Sequence, residues 1–457
     1  MIVSGINSVT TPLAGWGRYP IEPCHLFRPE RRRELAAILA SGAQRDYISR
    51  GLGRSYGDAA LNRESGVISH LRLNRFLAFD PETGVLECEA GVSFAEILQY
   101  FLPRGFFLPV TPGTRFVTVG GAIAADVHGK NHHRDGTVAN FIKDFKLLTP
   151  GGEILVCSPA SHSEIFWATF GGMGLTGVIV SARLALRRVE SAYVFVDYQK
   201  TRNFEEAIGI MGESDRQYQY SVAWIDCLAT GASLGRAILM RGNHAPAAQL
   251  PKRLRDPLAA PSHREWNLPI NLPGLALNSL TVGAFNALFY AAHRNTTQQL
   301  VDFEKFFYPL DAIHNWNRLY GKRGFVQYQF ALPPESGRDG LAAILERLAR
   351  SRRSSFLGVL KCFGDANPGL LSFPIRGYTL ALDLPADRGL KPFVQQLDQL
   401  ALRYGGRVYL AKDATLSAET FAAMYPQLER FRALKRQLDP KGVLASSLAR
   451  RVKLVES

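Results

Sequence analysis

The stretch RGLGRSYGD at residues 50–58 gives the first indication of the fold. It follows a strand-like segment, and its glycines have the spacing GxGxxxG, which differs from the GxGxxG fingerprint of the Rossmann fold. Glycine lets the backbone approach a ligand closely and adopt positive φ angles. Consecutive backbone N–H groups in such a turn form a nest for an anion such as a pyrophosphate. Taken alone, the stretch is compatible with a structural turn or with a phosphate site.

Two further glycine-rich stretches follow in the same half of the chain. The second, PGTRFVTVGG at residues 112–121, runs into AIAADVHGKNHH at residues 122–133, and its small residues predict a short helix over 120–125 that packs closely on a flat ring or another backbone. The third, GGMGLTG at residues 171–177, contains GxGxxG but lies between a predicted helix and a predicted strand, whereas the Rossmann fingerprint requires strand, turn and helix. Together the loops favour a large phosphorylated cofactor, with the third stretch as a tight turn against it.

The order of apolar segments predicts an α+β class and not regular β–α–β winding. Segments rich in β-branched residues alternate with short amphipathic ones, and a TPGG turn predicts a hairpin between residues 141–149 and 153–158. The tail at residues 418–438 is predicted to be helical and basic. We expect three parts: a first domain at residues 15–190, a second, substrate-binding domain at 191–405, and a C-terminal return at 406–457.

Composition narrows the class of protein. The 457 residues include 54 Lys and Arg against 40 Asp and Glu, a net charge of +14 that suits nucleic acid, anionic lipid or phosphorylated substrates. The basic residues form no single stripe and no recognised nucleic-acid motif, so we do not expect nucleic-acid binding. The cysteines are few and far apart, which predicts reduced thiols: Cys24, Cys88, Cys157, Cys227 and Cys362.

No segment predicts secretion or a membrane span. The N-terminus has no basic residue before Arg18 and no apolar core, so a signal peptide is not expected. Residues 267–292 carry no charge and are long enough to cross a bilayer, but they contain two prolines and several asparagines. We predict a buried strand and helix there, with a lipid-contacting surface as the alternative. The preceding residues 245–273, rich in proline and basic residues, predict a mobile loop.

The histidine-rich end of the second stretch raises the question of a metal. His128 and His132 are four residues apart, but Gly129 interrupts a helix between them and no acidic partner has the required spacing. We therefore expect no metal site, and Lys130 among the histidines favours an anionic ligand.

Together these strings resemble the PCMH-type FAD-binding domain of the vanillyl-alcohol-oxidase superfamily, and within it the family of polyprenylphosphoryl-ribose oxidases. The long strings HGKNHH (128–133), FWATFGGMGLTG (166–177), SFPIRGY (372–378) and LAKDATLSAETFAAMYP (410–426) carry the resemblance along nearly the whole chain. It implies two α+β subdomains that clamp an extended FAD, and a substrate domain built on an antiparallel sheet with helices.

The resemblance also implies a reaction. The C2′ hydroxyl of a polyprenylphosphoryl-β-D-ribose is oxidised to a ketone while a hydride passes to the flavin, which is the first half of an epimerisation to an arabinose donor for cell-envelope polysaccharide. A short-chain, NAD(P)H-dependent keto-reductase is the implied partner. The lipid substrate implies an enzyme in the cytoplasm or peripheral on the inner membrane, at an anionic membrane surface. An aldonolactone or alditol oxidase of the same superfamily is the alternative.

Carried over motif by motif, the resemblance implies FAD contacts from all three stretches and the C-terminal part. Many relatives attach FAD through a histidine in the first loop, but Arg54 stands at that position here, so noncovalent FAD is expected. The implied contacts are Gly51, Leu52, Gly53, Arg54, Ser55, Tyr56, Gly57, Asp58, Gly113, Thr118, Val119, Gly120, Gly121, Ala125, Asp126, Val127, His128, Gly177, Val178 and Tyr409.

Two residues are candidates for catalysis. The resemblance places Lys412 beside the flavin as a fixed cation that stabilises the anionic reduced ring; the alternatives are a surface lysine or one paired with Asp413. His128 either accepts the proton of the sugar hydroxyl or only orients FAD.

Substrate positions are implied in the same way. They are Tyr56, Lys130, Trp224, Gln327, Gln329, Lys361 and Phe363. Lys130 or Lys361 would pair with the substrate phosphate, whereas Trp224 and Phe363 have core packing as the alternative. Ala381 stands where mycobacterial members carry a cysteine, and Phe307, followed by Tyr308, replaces a pocket tyrosine.

Overall fold

The structure is a computed structural model that describes residues 7–259, 261, 263–273, 278–353, 355 and 357–455. Residues 260 and 262 of the predicted mobile loop, and residues 274–277 of the uncharged stretch, lie outside the described residues.

A small mixed sheet opens the chain and leads into the first glycine loop. Its order is β1–β2–β4–β3, with β1 and β2 antiparallel and with β4 parallel to both β2 and β3. Helix α1 covers it through Leu35, Ile38 and Leu39. The bounds are β1 Ser8–Ala14, β2 Ile21–Phe27, α1 Arg32–Ala40, β3 Tyr47–Arg50 and β4 Gly66–Ser69. Because β3 ends at Arg50, the loop at residues 51–58 leaves from the carboxyl edge of this sheet.

A second, five-stranded antiparallel sheet carries the other two glycine-rich stretches. Its order is β5–β6–β10–β8–β9, and the predicted hairpin is confirmed by the pairing of β8 with β9. The elements of this part are β5 Phe76–Asp80, β6 Val85–Glu89, α2 Phe94–Phe101, β7 Phe106–Phe107, α3 Val119–Ala124, α4 His132–Asp135, β8 Ile142–Leu148, β9 Ile154–Cys157, α5 Ser163–Thr169, β10 Val178–Ala185 and β11 Arg187–Arg188. Phe145 and Phe166 stack at 5.3 Å in the core between sheet and helices.

The second half is built on a large antiparallel sheet. Within the described ranges it has eight strands, in the order β16–β12–β14–β13–β19–β20–β18–β21. Its strands, with the short parallel pair β15 and β17, are β12 Tyr193–Thr201, β13 Tyr220–Ile225, β14 Ala237–His244, β15 Trp266–Asn267, β16 Thr296–Asp302, β17 Ile313–His314, β18 Phe325–Leu332, β19 Gly358–Phe363, β20 Gly377–Pro385 and β21 Arg407–Val408. The α+β class and the antiparallel sheet of the second half are thus confirmed.

Helix α9 packs on strands β18 and β20 of the large sheet because it presents an apolar stripe to them. In α9 the stripe is Leu341, Ile344, Leu345 and Leu348, spaced three and four residues apart, all buried. The helices of this half are α6 Phe204–Ser214, α7 Ser279–Ala292, α8 Phe303–Phe307, α9 Pro334–Ser351, α10 Leu390–Arg403, α11 Ala418–Met424, α12 Leu428–Leu438 and α13 Ser447–Arg451.

One prediction of secondary structure is confirmed and another is wrong. The tail at 418–438 is helical as expected, in two helices: α11 ends at Met424 and α12 begins at Leu428, because Pro426 between them has no N–H to donate and disfavours the helical conformation of the residue before it. The uncharged stretch does not form a buried strand and helix: β15 is exposed, and α7 buries only Val282 and Asn286. No helix of the described part of the chain is long and apolar enough to cross a membrane.

The C-terminal segment returns to the first sheet. Leu444 pairs with Tyr47 at the start of β3, and α13 brings Arg451 to the end of the first glycine loop. The Arg451 guanidinium lies 2.7 Å from Asp58 Oδ1 and 2.9 Å from Asp413 Oδ2. This buried ion network connects the glycine loop to the turn that carries Lys412.

Candidate active site

A cavity lies where the first glycine loop, the second stretch, the third turn and the C-terminal return meet strands β18 to β20. Fifteen of the residues implied as FAD contacts line it: Gly51, Leu52, Gly53, Arg54, Ser55, Tyr56, Gly113, Thr118, Gly120, Gly121, Ala125, Val127, His128, Gly177 and Tyr409. The other five implied contacts do not line it: Gly57, Asp58, Val119, Asp126 and Val178. The structure therefore brings together three stretches that are far apart in the sequence.

The first loop presents a row of unused backbone donors. The described residues offer no acceptor to the N–H groups of residues 51–55, and Gly53 has a φ of +66°. A run of free N–H groups around a positive-φ glycine forms an anion nest. A diphosphate fits this loop, so the residues present are suited to FAD.

Close backbone contacts hold the nest in place. A Cβ atom on Gly51 would lie 2.2 Å from Thr118 Oγ1, and one on Gly57 would lie 1.9 Å from the carbonyl oxygen of Asp413. Both distances are far below a van der Waals contact, so only glycine lets the first loop meet the second stretch and the Lys412 turn. This explains why Gly57 belongs to the motif although it does not line the cavity.

Arg54 occupies a stacked position at the cavity wall. Its guanidinium carbon lies 4.0 Å from the centre of the Trp16 ring and 5.0 Å from that of Phe116. Burial lowers the pKa of Arg54 from its usual value, an effect that Asp311 opposes. A guanidinium does not form the covalent flavin bond that a histidine forms in relatives, which supports noncovalent FAD.

Lys412 projects from a tight turn towards Tyr56. Its backbone N–H donates to the carbonyl oxygen of Tyr409 at 3.0 Å, and its side-chain Nζ lies 4.0 Å from the centre of the Tyr56 ring. Burial lowers the pKa of Lys412 to about 7; Asp383 raises it and Lys361 lowers it further. Its sequence neighbour Asp413 turns away to Arg451, so within the described residues Lys412 is neither a surface lysine nor paired with Asp413.

The hydrogen bonds of His128 define its tautomer. The Thr379 hydroxyl donates to the carbonyl oxygen of Phe330, so it accepts from Gln329 Nε2 at 3.2 Å. The same amide nitrogen lies 3.0 Å from His128 Nε2, which must therefore accept and leave the ring proton on Nδ1. Burial and the nearby Lys361 hold the pKa of His128 well below 6.5, so the ring is neutral. With its Nε2 lone pair engaged, His128 is arranged to donate a hydrogen bond, which favours the orienting role over that of a base.

The other polar residues of the HGKNHH region have structural partners. His132 Nδ1 accepts from the N–H of Gly364 at 3.1 Å, and His133 Nε2 lies 3.0 Å from the carbonyl oxygen of Tyr218. Asp126, with a φ of +44°, accepts from Ser372 Oγ at 2.5 Å. In the described part of the chain, no group of three or more His, Cys, Asp or Glu side chains has metal-binding geometry.

The implied substrate residues separate into two groups. Tyr56, Gln327, Gln329 and Lys361 line the cavity, whereas Lys130, Trp224 and Phe363 do not.

The two aromatic residues outside the lining are packed against other rings. Trp224 packs against Phe289 of α7, with ring centres 4.9 Å apart. Phe363 packs against His128 and His132 at 4.9 and 4.4 Å. These contacts match the core alternative for both aromatic residues.

Two lysines supply positive charge on this side of the molecule. Burial lowers the pKa of Lys361 to about 8 and that of Lys130 to about 7, with Lys361 adding to the effect on Lys130. The Lys130 ammonium donates to the carbonyl oxygen of Phe306 and lies 4.3 Å from the centre of the Phe306 ring. Lys361 faces the cavity, which makes it the better placed of the two for an anionic substrate group.

The two departures from the family pattern have different settings. Ala381 lines the cavity as the cross-strand partner of Gln329, so it contributes a small apolar surface there. Phe307 is buried against Phe107 and Tyr220, while the Tyr308 hydroxyl lies 2.6 Å from Thr111 Oγ1.

Several lining residues were not found by sequence reasoning. They are Trp16, His70, Leu310, Asp311 and Trp316. None belongs to a glycine-rich motif, and each reaches the cavity through chain folding, so no local pattern marked them. Leu310 and Asp311 belong to the string PLD at 309–311 and Trp316 to WNRLYG at 316–321, and the similarity of these strings to the family was the available signal.

Comparison with known proteins agrees with this geometry. The family model described as FAD binding domain matches residues 23–158, and the one described as D-arabinono-1,4-lactone oxidase matches residues 322–452. The first match spans two of the glycine-rich stretches, and the second contains Gln327, Lys361 and Lys412.

Similar full-length proteins extend the comparison. The chain is 40% identical to the decaprenylphosphoryl-β-D-ribose oxidase of Mycolicibacterium smegmatis, over 100% of both chains. It is 23% identical to the L-gulono-1,4-lactone dehydrogenase of Mycobacterium tuberculosis, over 96% of this chain and 98% of that protein. It is also 23% identical to the L-gulonolactone oxidase of Bos taurus, over 96% and 97% of the two chains.

Proposed function

The chain belongs to the decaprenylphosphoryl-β-D-ribose oxidase family, and on that premise we propose that it is an FAD-dependent oxidase of a polyprenylphosphoryl-β-D-ribose, acting on the C2′ hydroxyl. One observation carries the proposal: the anion nest of the first loop and the ammonium of Lys412 line the same cavity. Such a cavity holds a diphosphate at one place and stabilises developing negative charge at another.

The chain's own residues provide binding and electrostatics for this reaction. The N–H groups of residues 51–55 bind the diphosphate, and Gly120 and Gly121 allow a close approach of the second stretch. Bound FAD would accept a hydride from the sugar carbon. Lys412 supplies positive charge inside a largely apolar cavity, where an ion stabilises developing charge far more than in water. His128 orients bound groups by donating from Nδ1.

The phosphate of the substrate requires a cation that is not used elsewhere. Lys361 lines the cavity, and within the described residues its ammonium has no carboxylate within ion-pair distance. A phosphate would satisfy this buried charge. Lys130 is the second candidate for binding this phosphate. Its ammonium would then release the Phe306 carbonyl oxygen and donate to the phosphate instead.

Two further parts of the proposal concern the reaction's place in the cell. The keto sugar needs a reductant to become the arabino epimer, so we propose a short-chain NAD(P)H-dependent keto-reductase as partner. The product would serve as an arabinose donor for cell-envelope polysaccharide.

Anaerobic mixing with polyprenylphosphoryl-β-D-ribose tests the function directly. We expect the flavin absorbance to bleach in a single turnover, because the substrate is the hydride donor, and we expect a 2′-keto product by mass spectrometry. The 2′-deoxy analogue is the matched control, since it binds without an oxidisable hydroxyl. Bleaching by the deoxy analogue, or none by the ribose lipid, would refute the assignment.

A second candidate function is supported by the D-arabinono-1,4-lactone oxidase match at residues 322–452. If the protein is a lactone oxidase, soluble aldonolactones would reduce the flavin faster than the lipid substrate does. The lactone lacks a phosphate, so Lys361→Ala would leave its KM unchanged, whereas the same variant would raise the KM for the sugar lipid.

We also propose that the enzyme binds an anionic membrane surface through α7. The helix has an outward face that is apolar along its length: Leu280 is 83% exposed, Leu288 72% and Phe285 45%. The polar Asn286 points inward instead and donates to Asp226 Oδ1 at 2.8 Å. This arrangement is the reverse of a helix facing water, and a lipid surface is the medium that suits it.

The segment before α7 also exposes large apolar side chains. Trp266 is 57% exposed and Ile270 64%, and the Arg264 guanidinium carbon lies 4.3 Å from the centre of the Trp266 ring. Lys252, Arg253 and Arg255 are also exposed on the preceding loop. Basic residues add about 1 kcal/mol each near an anionic surface, and an aromatic ring beside an arginine suits the interface.

Liposome flotation tests the membrane proposal. We expect the holoenzyme to float with vesicles containing phosphatidylserine. The double variant Leu280→Asp, Leu288→Asp should bind at least a hundredfold more weakly, since each leucine buried in lipid contributes about 1.5–3 kcal/mol. Ile154→Asp with Val156→Asp is the control, because these residues are 56% and 48% exposed on the separate strand β9. If the α7 variant floats like the parent protein but changes from dimer to monomer in sedimentation, the face is a self-association surface and the lipid proposal is wrong.

A further inference from the structure

A buried carboxylate behind the cavity has no part in the function described so far. Asp383 lies on β20 directly opposite Gln327 of β18, and its side chain has no exposed surface. Gln327 Nε2 donates to Asp383 Oδ1 at 2.6 Å, and the Tyr320 hydroxyl donates to Oδ2 at 3.4 Å. Within the described residues, no Lys, Arg or His nitrogen lies within 4.0 Å of this carboxylate. A buried charge without an ion-pair partner is costly, which calls for an explanation.

The groups around Asp383 lead from it to Lys412. Gln327, its hydrogen-bond donor, lines the cavity with Tyr56 and Lys412. Lys412 Nζ lies over the Tyr56 ring, and Tyr56 in turn packs edge-on against Phe325, which stacks on Tyr320. Aromatic rings and one amide thus connect the hydrogen-bond partners of the carboxylate to the ammonium.

We propose that Asp383 is a positioning residue that keeps the Lys412 side chain protonated at the flavin site. Two buried groups of opposite charge stabilise each other across a low-dielectric region even without direct contact. The proposal rests on the role of Lys412 in the proposed function, which requires an ammonium and not a neutral amine.

The titration of the two groups is consistent with this role. Burial raises the pKa of Asp383 to about 7, while Gln327, Lys412 and Tyr320 favour its ionised form. Burial lowers the pKa of Lys412 to about 7, and Asp383 is the carboxylate that counteracts this decrease. Lys361 also acts on Lys412 and disfavours its ammonium form. Arg54 and Asp311 act on Tyr56, the ring over which the Lys412 ammonium lies. Loss of the Asp383 charge therefore lowers the pKa of Lys412, so the side chain loses its proton at a lower pH than in the parent enzyme.

The experiment measures the charge of Lys412 directly in the holoenzyme. Lysine labelled with ¹³C at Cε is incorporated, and the signal of Lys412 is identified as the one lost in Lys412→Arg. We expect the midpoint of its pH titration in Asp383→Asn to move to a pH about one unit lower, because an interacting opposite charge shifts a pKa by about 1–3 units. Asp383→Glu, which keeps the carboxylate, should restore the midpoint at least in part.

Asp398→Asn is the matched control. Asp398 is also buried, and burial raises its pKa to about 8, but it lies on α10 and does not line the cavity. This variant should leave the Lys412 midpoint in place. A second readout is the pH profile of flavin reduction, whose alkaline limb should move with the midpoint in Asp383→Asn only.

An unchanged Lys412 midpoint in a folded Asp383→Asn holoenzyme would overturn the inference, even if FAD affinity or thermal stability fell. Because the NMR titration needs no substrate, it remains decisive if the sugar lipid fails to reduce the flavin. That failure would reject the proposed function and leave the electrostatic coupling to be judged by the titration.

Discussion

Lys412→Ala is expected to retain FAD and to reduce its flavin about 10²–10³ times more slowly than the parent enzyme, because removal of one preorganised group that stabilises developing charge has an effect of that size. The Lys412 side chain lies over the Tyr56 ring in the cavity, which the residues expected to contact the flavin ring also line. FAD binding itself should survive, because the anion nest of residues 51–55 lies on a different loop. Stopped-flow absorbance under anaerobic conditions measures the rate, and the visible spectrum measures FAD content.

Lys391→Ala serves as the control for this variant. Lys391 is an exposed lysine near the start of α10, so its loss removes the same charge at the surface of the protein. Equal rates of flavin reduction in Lys412→Ala and Lys391→Ala would show that the positive charge in the cavity has no catalytic role. A loss of FAD from Lys412→Ala would instead assign the lysine to cofactor binding.

Gly51→Val is expected to weaken FAD binding about a hundredfold. Its Cβ would lie 2.2 Å from Thr118 Oγ1, so the first loop and the second stretch must separate. Overpacking of this kind costs about 1–3 kcal/mol, and the upper value corresponds to a hundredfold change in a dissociation constant. Thr118 also caps α3 by accepting from the N–H of Gly121 at 3.2 Å, so a shift of its side chain disturbs both loops of the cofactor site. Fluorescence titration of FAD-depleted protein measures the affinity.

Gly209→Val is the matched substitution. Gly209 lies within α6, and a Cβ there meets no atom within 4 Å. It should bind FAD as the parent protein does. Thermal unfolding of the FAD-depleted Gly51→Val protein separates a local effect from misfolding: a normal transition with weak FAD binding supports the nest, whereas normal FAD binding would show that the loop contact is not required.

The glycine loops could be recognised from sequence because their requirements are local. A backbone that turns back on itself with free N–H groups needs glycine at particular positions, as the φ of +66° at Gly53 illustrates. The α+β class and the hairpin of β8 and β9 followed from apolar alternation and a TPGG turn. These features depend on neighbours within a few residues, so the printed sequence contains them.

The prediction that failed, burial of the uncharged stretch, depended on long-range packing. The lack of charge at residues 267–292 is compatible with burial or with a lipid-contacting surface, and only the structure shows that Leu280 and Leu288 of α7 face outward. The position of Asn286 against Asp226 decides which face of the helix is inside, and the two residues are 60 positions apart. In the same way, Trp16 and Trp316 reach the cavity from opposite halves of the chain and lie 5.8 Å apart.

The sequence by itself determined the glycine-rich turns, the α+β class and the family, because glycine spacing and strand periodicity are properties of short segments. Only the tertiary structure decided which lysine faces the cavity, which nitrogen of His128 carries the proton, and that Asp383 lies behind Gln327. Those properties come from burial and from hydrogen bonds between residues 50 to 200 positions apart, and such contacts form only when the sheets have packed together.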